Sequence, residues 1–302
     1  MSEQNGMSFN LAKEADLQRL GDTILADIDK HAQETMDGGH RRHLGASQIG
    51  EQCRRKLWYQ FRWCSRETFV GRILRLFDRG HREEERNNTW LRAKGFEVYD
   101  FDYSKPQKAD GSYPQYQISG CGGHFGGSTD GVIKFPERYN INEFFLLEHK
   151  TNGTGAGFNG LRNDGMPKHK PQHWAQTCTY GYKMGLNYVL YMNTNKNDDD
   201  MFVRPYKLDH SVGQHMEAKA EAIIIAREAP NRLSDNPTNF QCKMCCHAKV
   251  CHAGELPEVN CRSCKHAVPA DNKEWFCEVH NANIPEHIIP EACNSYEPIT
   301  VC

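Results

Sequence analysis

Three side chains near the middle of the chain have the types and spacing to do chemistry: Asp130, Glu148 and Lys150. They fall in the stretch GSTDGVIKFPERYNINEFFLLEHK, Gly127 to Lys150, which reads as a β-hairpin. Asp130 and Glu148 are equidistant from Tyr139 in its turn, so a regular antiparallel pairing sets them opposite each other, with Cβ atoms roughly 5 Å apart. Lys150, two residues past Glu148, shares its face; His149 points away, but its backbone carbonyl lies at the same level. Two carboxylates, a carbonyl and an ammonium at one strand end suit Mg²⁺-assisted hydrolysis of a phosphodiester. Glu-x-Lys alone is a weak signal, since Glu217-Ala-Lys219 also matches and a solvated hairpin end would look the same.

The surrounding elements must position these groups. One arm runs from Thr129 to Phe135. The return arm, Glu143 to Thr151, carries the apolar run Phe144 to Leu147 and reads as a strand buried on both faces. Before the hairpin, residues 66–94 read as a long helix striped by Phe69, Ile73, Leu76, Phe77 and Leu91, interrupted at Gly80-His81 and followed by the acidic run Glu83 to Glu85. Residues 95–126 alternate like sheet strands, and Gly122-Gly123 and Gly126-Gly127 allow tight turns or close approach. Thr151 to Lys170 is polar and Gly-rich and reads as a long mobile loop, with Lys168 and Lys170 as phosphate contacts. A helix from Pro171 to Met184 puts His173, Gln176 and Tyr180 on one face. A hairpin over 187–206 and a helix from His210 to about Ala229 follow. At the start, residues 1–45 read as an N-terminal helical arm. Residues 46–64 read as a helix capped by Ser47, whose basic residues and aromatics either line a nucleic-acid groove or enter the core.

The formal net charge of −2 gives no global field that advertises nucleic acid. No apolar stretch reaches membrane-spanning length, and the first twenty residues lack a signal-peptide core, so an intracellular, cytoplasmic protein is expected. In a reducing compartment the thirteen cysteines point to metal ligation rather than disulfides. Cys242-x-x-Cys245-x5-Cys251 supplies three thiolates and needs a fourth ligand. Beyond it, Cys261-x-x-Cys264, Cys277 and Cys293, with Trp275 and Phe276 as a minimal core, read as a small zinc-ribbon-like module, in which His266 or His280 could replace a cysteine.

The order Asp130, Glu148-x-Lys150, then Gln176 and Tyr180 resembles the PD-(D/E)xK nuclease superfamily. Thr129 stands where the superfamily name has proline, and Gly127-Ser-Thr-Asp130 resembles the Gly-x-x-Asp pattern of the RecB-like branch. The resemblance covers about residues 46–251. It implies an α/β fold with a restriction-endonuclease-like core, a central mixed β-sheet flanked by helices, followed by a small Cys-rich C-terminal metal module. The implied organisation is an arm over 1–45, a nuclease domain over 46–251 and the module over 252–302. The resemblance makes His81, Asp130, Glu148 and the His149 carbonyl ligands of Mg²⁺ or Mn²⁺, with Glu84 and Glu85 as substitutes for His81. Lys150 positions the attacking water, and Gln176 and Tyr180 support it. In AddB-type and CRISPR-associated RecB-like nucleases four cysteines bind a [4Fe–4S] cluster. Here these would be Cys53, Cys242, Cys245 and Cys251, with zinc as the alternative occupant. The implied activity is exonuclease action on DNA ends, single-stranded or duplex, beside replication, recombination or CRISPR proteins, in the cytoplasm, that of a phage-infected host included. The rivals are a structure-selective endonuclease with the same site and a non-catalytic nucleic-acid-binding protein whose cysteine modules do the work.

Overall fold

The structure, a computed structural model, describes residues 10–36 and 38–301, apart from the side chain of Ala156. Its helices and strands, in order, are α1 (Glu14–Met36), β1 (Leu44–Gly45), α2 (Arg54–Phe61), α3 (Gly71–Ala93), β2 (Glu97–Tyr99), β3 (Gln117–Gly120), β4 (Phe125–Ser128), β5 (Gly131–Lys134), β6 (Phe144–Asn152), α4 (Gly160–His169), α5 (Pro171–Met184), β7 (Tyr188–Asn195), β8 (Met201–Lys207), α6 (His210–Ile225), α7 (Phe240–Lys243), α8 (Ala248–His252), β9 (Ala267–Pro269), β10 (Trp275–Cys277) and β11 (Ala282–Asn283).

The chain divides into two compact units. One comprises residues up to 39 with 67–82. In it α1 meets the start of α3, where Gly71 comes so close to Asp29 that an added Cβ would lie 2.4 Å from its Cα. Arg75 pairs with Asp29, and Phe69 packs edge-on against Phe77 at 5.1 Å. The other unit comprises 40–66 and 83–302.

In the larger unit a five-stranded mixed sheet runs in the order β2-β5-β6-β7-β8, with β6 and β7 parallel and the other pairs antiparallel. The β6–β7 crossover carries α4 and α5, as a parallel connection requires. The β5–β6 pairing sets Gly131 opposite Leu147. One step further, Asp130 stands opposite Glu148, the register expected from the symmetric turn. β6 is sandwiched, as its apolar run requires. Phe145 and Leu147 join Ile133, Leu190 and Met192 on one face, while Leu146 joins the main core with Val189 and Tyr191 on the other. A second sheet has the order β1-β4-β3 and a third β11-β10-β9.

Two expectations change, and one open alternative is decided in favour of the core. The helix read from Ser47 begins only at Arg54, and Cys53 is its N-cap, its Sγ accepting the Lys56 N–H at 3.4 Å. The aromatics and several of the basic residues of this segment are core: Trp58, Tyr59, Phe61, Arg55 and Arg62 are buried. The Arg62 guanidinium donates to the carbonyl of Ala267 at 2.8 Å, and Tyr59 Oη donates to that of Val301 at 2.6 Å. The expected mobile loop over 151–170 is instead a π-helical turn, Thr154–Asn159, leading into α4. Its Phe158, Leu161 and Met166 side chains are buried in the core, which fixes an otherwise polar segment.

The cysteine-rich segment 252–302 has its own small sheet, yet Cys261, Ala267, Trp275 and Ile299 belong to the same core as Leu57 and Phe61. No helix among the described residues is long and apolar enough to cross a membrane.

Candidate active site and thiol-lined cavities

Asp130 lies in the break between β4 and β5, one residue before the ladder starts, and its Oδ2 accepts the backbone N–H of His149 at 2.7 Å. That bond closes the end of the hairpin and sets Asp130 beside Glu148. Glu148 is fully buried, and its Oε1 takes the ammonium of Lys150, while its Oε2 has no hydrogen-bond partner. Lys150 also donates to the His149 carbonyl at 3.2 Å. β7 runs parallel alongside, with Tyr191 in register with Glu148 and Asn193 with Lys150, so those side chains share the face. From α5, the buried Gln176 lies against both Glu148 and Tyr180 and lowers the proton affinity of each, and Tyr180 Oη donates to the Ser128 carbonyl at 2.9 Å.

The charges are crowded. Burial pushes the Glu148 carboxyl up to about 7, Lys150 pulls it down and Asp130 adds to the rise. Glu84 of α3 is raised to about 8, first by burial and then by Asp130, with Glu148 adding to it. Burial works against the charge of Lys150, but Glu148 and Asp130 outweigh it and hold its pKa above the ordinary lysine value. Its two carboxylate neighbours thus favour the charged form of Lys150.

The structure brings Asp130, Glu148, Lys150, the His149 carbonyl, Gln176 and Tyr180 together in one unit. Glu84 is the α3 side chain whose charge couples to Asp130 and Glu148; Glu85 and His81 are exposed, and His81 falls in the first unit. Several groups had no sequence signal beyond their place on flanking elements. The His149 ring packs on the other face of the sheet, with Nε2 2.9 Å from Asn88 Oδ1 of α3. Tyr191 Oη lies 2.8 Å from His173 Nδ1 and accepts from Asn193. Strand parity could have placed Tyr191 and Asn193 on the Glu148 face, had the β6–β7 register been known.

Gly127 shows why this backbone needs glycine beside the site. An added Cβ would fall 2.6 Å from Tyr180 Oη and 3.2 Å from Ala46 Cβ, with Tyr180 itself buried. Gly127→Ala is expected to cost about 1–3 kcal/mol. Tyr180→Phe in the same chain should recover part of that, read as denaturant midpoints; no recovery would mean that Ala46 or the edge of the Tyr180 ring, each 3.2 Å from the added Cβ, is the obstacle.

His173 gives a pH prediction. Burial, then Lys150 and Lys170, lower its pKa from 6.5 to about 3. A base depressed on folding contributes stability that is present above pH 6.5 and lost as pH falls toward 3. Urea unfolding between pH 7 and 4 should show that loss, at most about 1.4 kcal/mol per pH unit, and His173→Gln should flatten it. An unchanged slope in the variant would remove His173 as the source.

Two further clusters are thiol-rich. Cys53 at the start of α2, Cys242 and Cys245 around α7, and Cys251 in α8 line one cavity of about 230 Å³. The Cys242 thiol is raised by burial and by its neighbours Cys53, Cys251 and Cys245. Cys245 is lowered to about 6 by a hydrogen bond with Cys246, helped by the His247 N–H and Lys56. Cys261, Cys264, Cys277 and Cys293 line a second, much smaller cavity of about 20 Å³. Burial and the other three thiols raise Cys261 to about 11, and Cys293 Sγ lies 3.6 Å from His280 Nε2. His266 also lines this cavity, but its Nε2 is engaged by Glu297 at 3.0 Å. As they stand, no three His, Cys, Asp or Glu side chains among the described residues converge to hold a metal ion. In the carboxylate site the Lys150 ammonium is what Glu148 Oε1 meets.

Neither models of known protein families nor curated proteins match the chain. Among solved structures, SSO0001 is similar over 76% of this chain and 96% of its own, with 14% identity and a TM-score of 0.43. The alkaline exonuclease LHK-Exo from Laribacter hongkongensis is similar over 66% of this chain and 90% of its own, with 14% identity and a TM-score of 0.38. LHK-Exo in complex with dAMP gives 60% and 86%, 16% identity and a TM-score of 0.38. Superpositions this loose identify nothing by themselves.

Proposed function

We propose that this chain is a metal-dependent deoxyribonuclease of the RecB-like PD-(D/E)xK kind, hydrolysing phosphodiester bonds from DNA ends. The observation that carries the reading is the single constellation of Asp130, Glu148 and Lys150 at the mouth of the β5–β6 hairpin, backed by Gln176 and Tyr180. The residues fit a divalent cation. Glu148 leaves a buried carboxylate oxygen unpartnered, Asp130 raises the proton affinity of both Glu148 and Glu84, and Glu148 adds to that of Glu84. Asp130, Glu148 and the His149 carbonyl would hold Mg²⁺ or Mn²⁺. The family pattern adds His81, whereas the charge coupling of Glu84 to Asp130 favours Glu84. When bound, the ion supplies Lewis-acid polarisation of the phosphate and a more acidic water.

The chain's own groups do the rest. Lys150, held charged, donates a hydrogen bond to the attacking water or to the negative charge that grows on the phosphate oxygens. Gln176 fixes the Glu148 carboxylate and, through Tyr180, ties it to the backbone of β4. The buried Gln176 and Tyr180 wall this side of the site from solvent, which strengthens each of these interactions.

The first thiol cavity fits a [4Fe–4S] cluster held by Cys53, Cys242, Cys245 and Cys251. Four thiols line a space larger than one ion needs, and the hydrogen bond from Cys246 favours the thiolate form of Cys245. The second, tighter set, Cys261, Cys264, Cys277 and Cys293, fits Zn²⁺. Both would act as structural ties.

The test uses end-labelled single-stranded and duplex DNA beside a covalently closed circle, with Mn²⁺ and anaerobically purified protein. Degradation of the linear substrates alone supports the exonuclease. Nicking of the circle replaces it with an endonuclease. Binding with no cleavage of any substrate overturns the enzyme and leaves the binding-protein reading.

A further inference from the structure

Arg262 is a buried charge of the larger unit with little to compensate it. It is 1% exposed, and its guanidinium lies 4.6 Å from the Phe61 ring, 4.5 Å from Trp63 and 4.7 Å from Trp275. Nη1 donates to the Arg42 carbonyl at 3.0 Å, while Nε and Nη2 are buried with no partner. The aromatic faces offset part of a cation's desolvation, but they do not use its N–H groups. A buried guanidinium with two idle donor atoms calls for an anion.

Arg262 lines a cavity of about 450 Å³, together with Arg42, Lys273, Trp63 and Trp275. The local field is positive. Arg62 presses on Arg262, and the His43 ring, lowered first by burial, is lowered further by Arg41, Lys273 and Arg262. Two carboxylates also line the cavity: Glu286 is paired with Arg42 at its exposed edge, so an anion binding to Arg42 competes with it, and Glu274 accepts from Asn283. Lys273 takes a left-handed backbone, φ 66°, and its side chain packs where a Cβ on Gly123 would come within 2.6 Å of its Cγ. The cavity has room for a tetrahedral oxyanion, whose several oxygens can accept from a guanidinium fork, a second arginine and an ammonium together.

We propose that this cavity, walled by Arg42, Arg262 and Lys273, binds a phosphate group of the DNA at a place separate from the Asp130–Glu148–Lys150 site. The choice of DNA as the source rests on the nuclease reading; the oxyanion chemistry does not. The site then grips substrate through the cysteine-rich segment, whose strand β10 supplies Trp275.

The test measures anisotropy of a fluorescein-labelled single-stranded oligonucleotide against salt, with the full chain carrying Asp130→Ala so that the strand stays intact. Arg42→Ala with Lys273→Ala should weaken binding roughly tenfold and lower the slope of log affinity against log salt by about 0.7 for each phosphate no longer neutralised. Arg262→Gln should do the same, and inorganic phosphate should compete with DNA only when Arg262 is present. Unchanged affinity and slope in the double variant, with its melting temperature unaltered, overturn the proposal even if Arg262→Gln fails to fold. Phosphate binding that depends on Arg262 while DNA affinity stays unchanged overturns the assignment to DNA. A parent chain without nuclease activity but with this salt-dependent weakening in the variants would sink the enzyme reading and leave this site standing.

Discussion

Lys150→Ala is expected to lower the rate of DNA hydrolysis by about a thousandfold, with DNA affinity changed by only a few fold. Removing one preorganised donor aimed at developing charge typically costs about 10²–10³ in kcat, and Lys150 is also the cation that Glu148 meets. Its removal leaves the fully buried Glu148 without that partner, which raises the proton affinity of the carboxyl further and weakens it as an anionic ligand. The two effects act in the same direction. Asp130→Ala should be at least as severe, because Asp130 both contributes charge and accepts the His149 N–H that closes the strand end. Single-turnover rates at saturating Mn²⁺, with DNA affinity measured separately in Ca²⁺, separate chemistry from binding. If Lys150→Ala raises KM and leaves the single-turnover rate intact, the lysine only binds substrate. Equal activity in parent and both variants would place the chemistry elsewhere.

The second large effect is expected at Cys242. Cys242→Ser should abolish the visible thiolate-to-iron absorbance of anaerobically purified protein and lower its melting temperature by more than about 10 °C, since 1 kcal/mol moves the midpoint of a large domain by roughly 2–4 °C. The physical reason is closure of a long loop. Cys53 sits at the N-cap of α2, and its three partners lie around α7 and α8, far along the chain. Pinning such distant segments costs chain entropy that grows slowly with loop length, whereas metal–thiolate binding in small domains releases about 10 kcal/mol or more. α2 also anchors the end of the chain through Tyr59 and Arg55, which hydrogen-bond the Val301 carbonyl at 2.6 and 3.0 Å, so loosening α2 should propagate there. Cys293→Ser is the contrast: it should lower zinc content and leave the iron chromophore unchanged. Colourless parent protein with four titratable thiols in this cavity would eliminate the cluster.

Much of this was legible because it is local. The symmetric spacing of Asp130 and Glu148 about Tyr139 determined their pairing, since one hairpin register places all its side chains at once. The apolar run Phe144 to Leu147 determined a strand buried on both faces, and the α5 boundaries were carried by Pro171 at the start and Gly185 in a left-handed conformation at the end. The cysteine spacings announced three thiols of one cavity and the four of the other, while Cys53 came only from the family resemblance.

What depended on long-range packing had no local trace. Phe158, Leu161 and Met166 turned a polar stretch into π-helix and α4 because a core was there to receive them. Arg55 and Arg62, which read as groove-lining cations, became core residues because backbone carbonyls from the distant 226–301 region accept their N–H groups. Tyr191 and Asn193 joined the site through the parallel β6–β7 register, which no hairpin dictates. Glu84 is coupled to Asp130 because of the way α3 lies on the sheet, a matter of helix rotation that the order of residues does not set. The sequence by itself determined which groups could do the chemistry and which strand pair would hold two of them. Only the tertiary structure decided which charges share that site, because burial and through-space distance are properties of the packed chain.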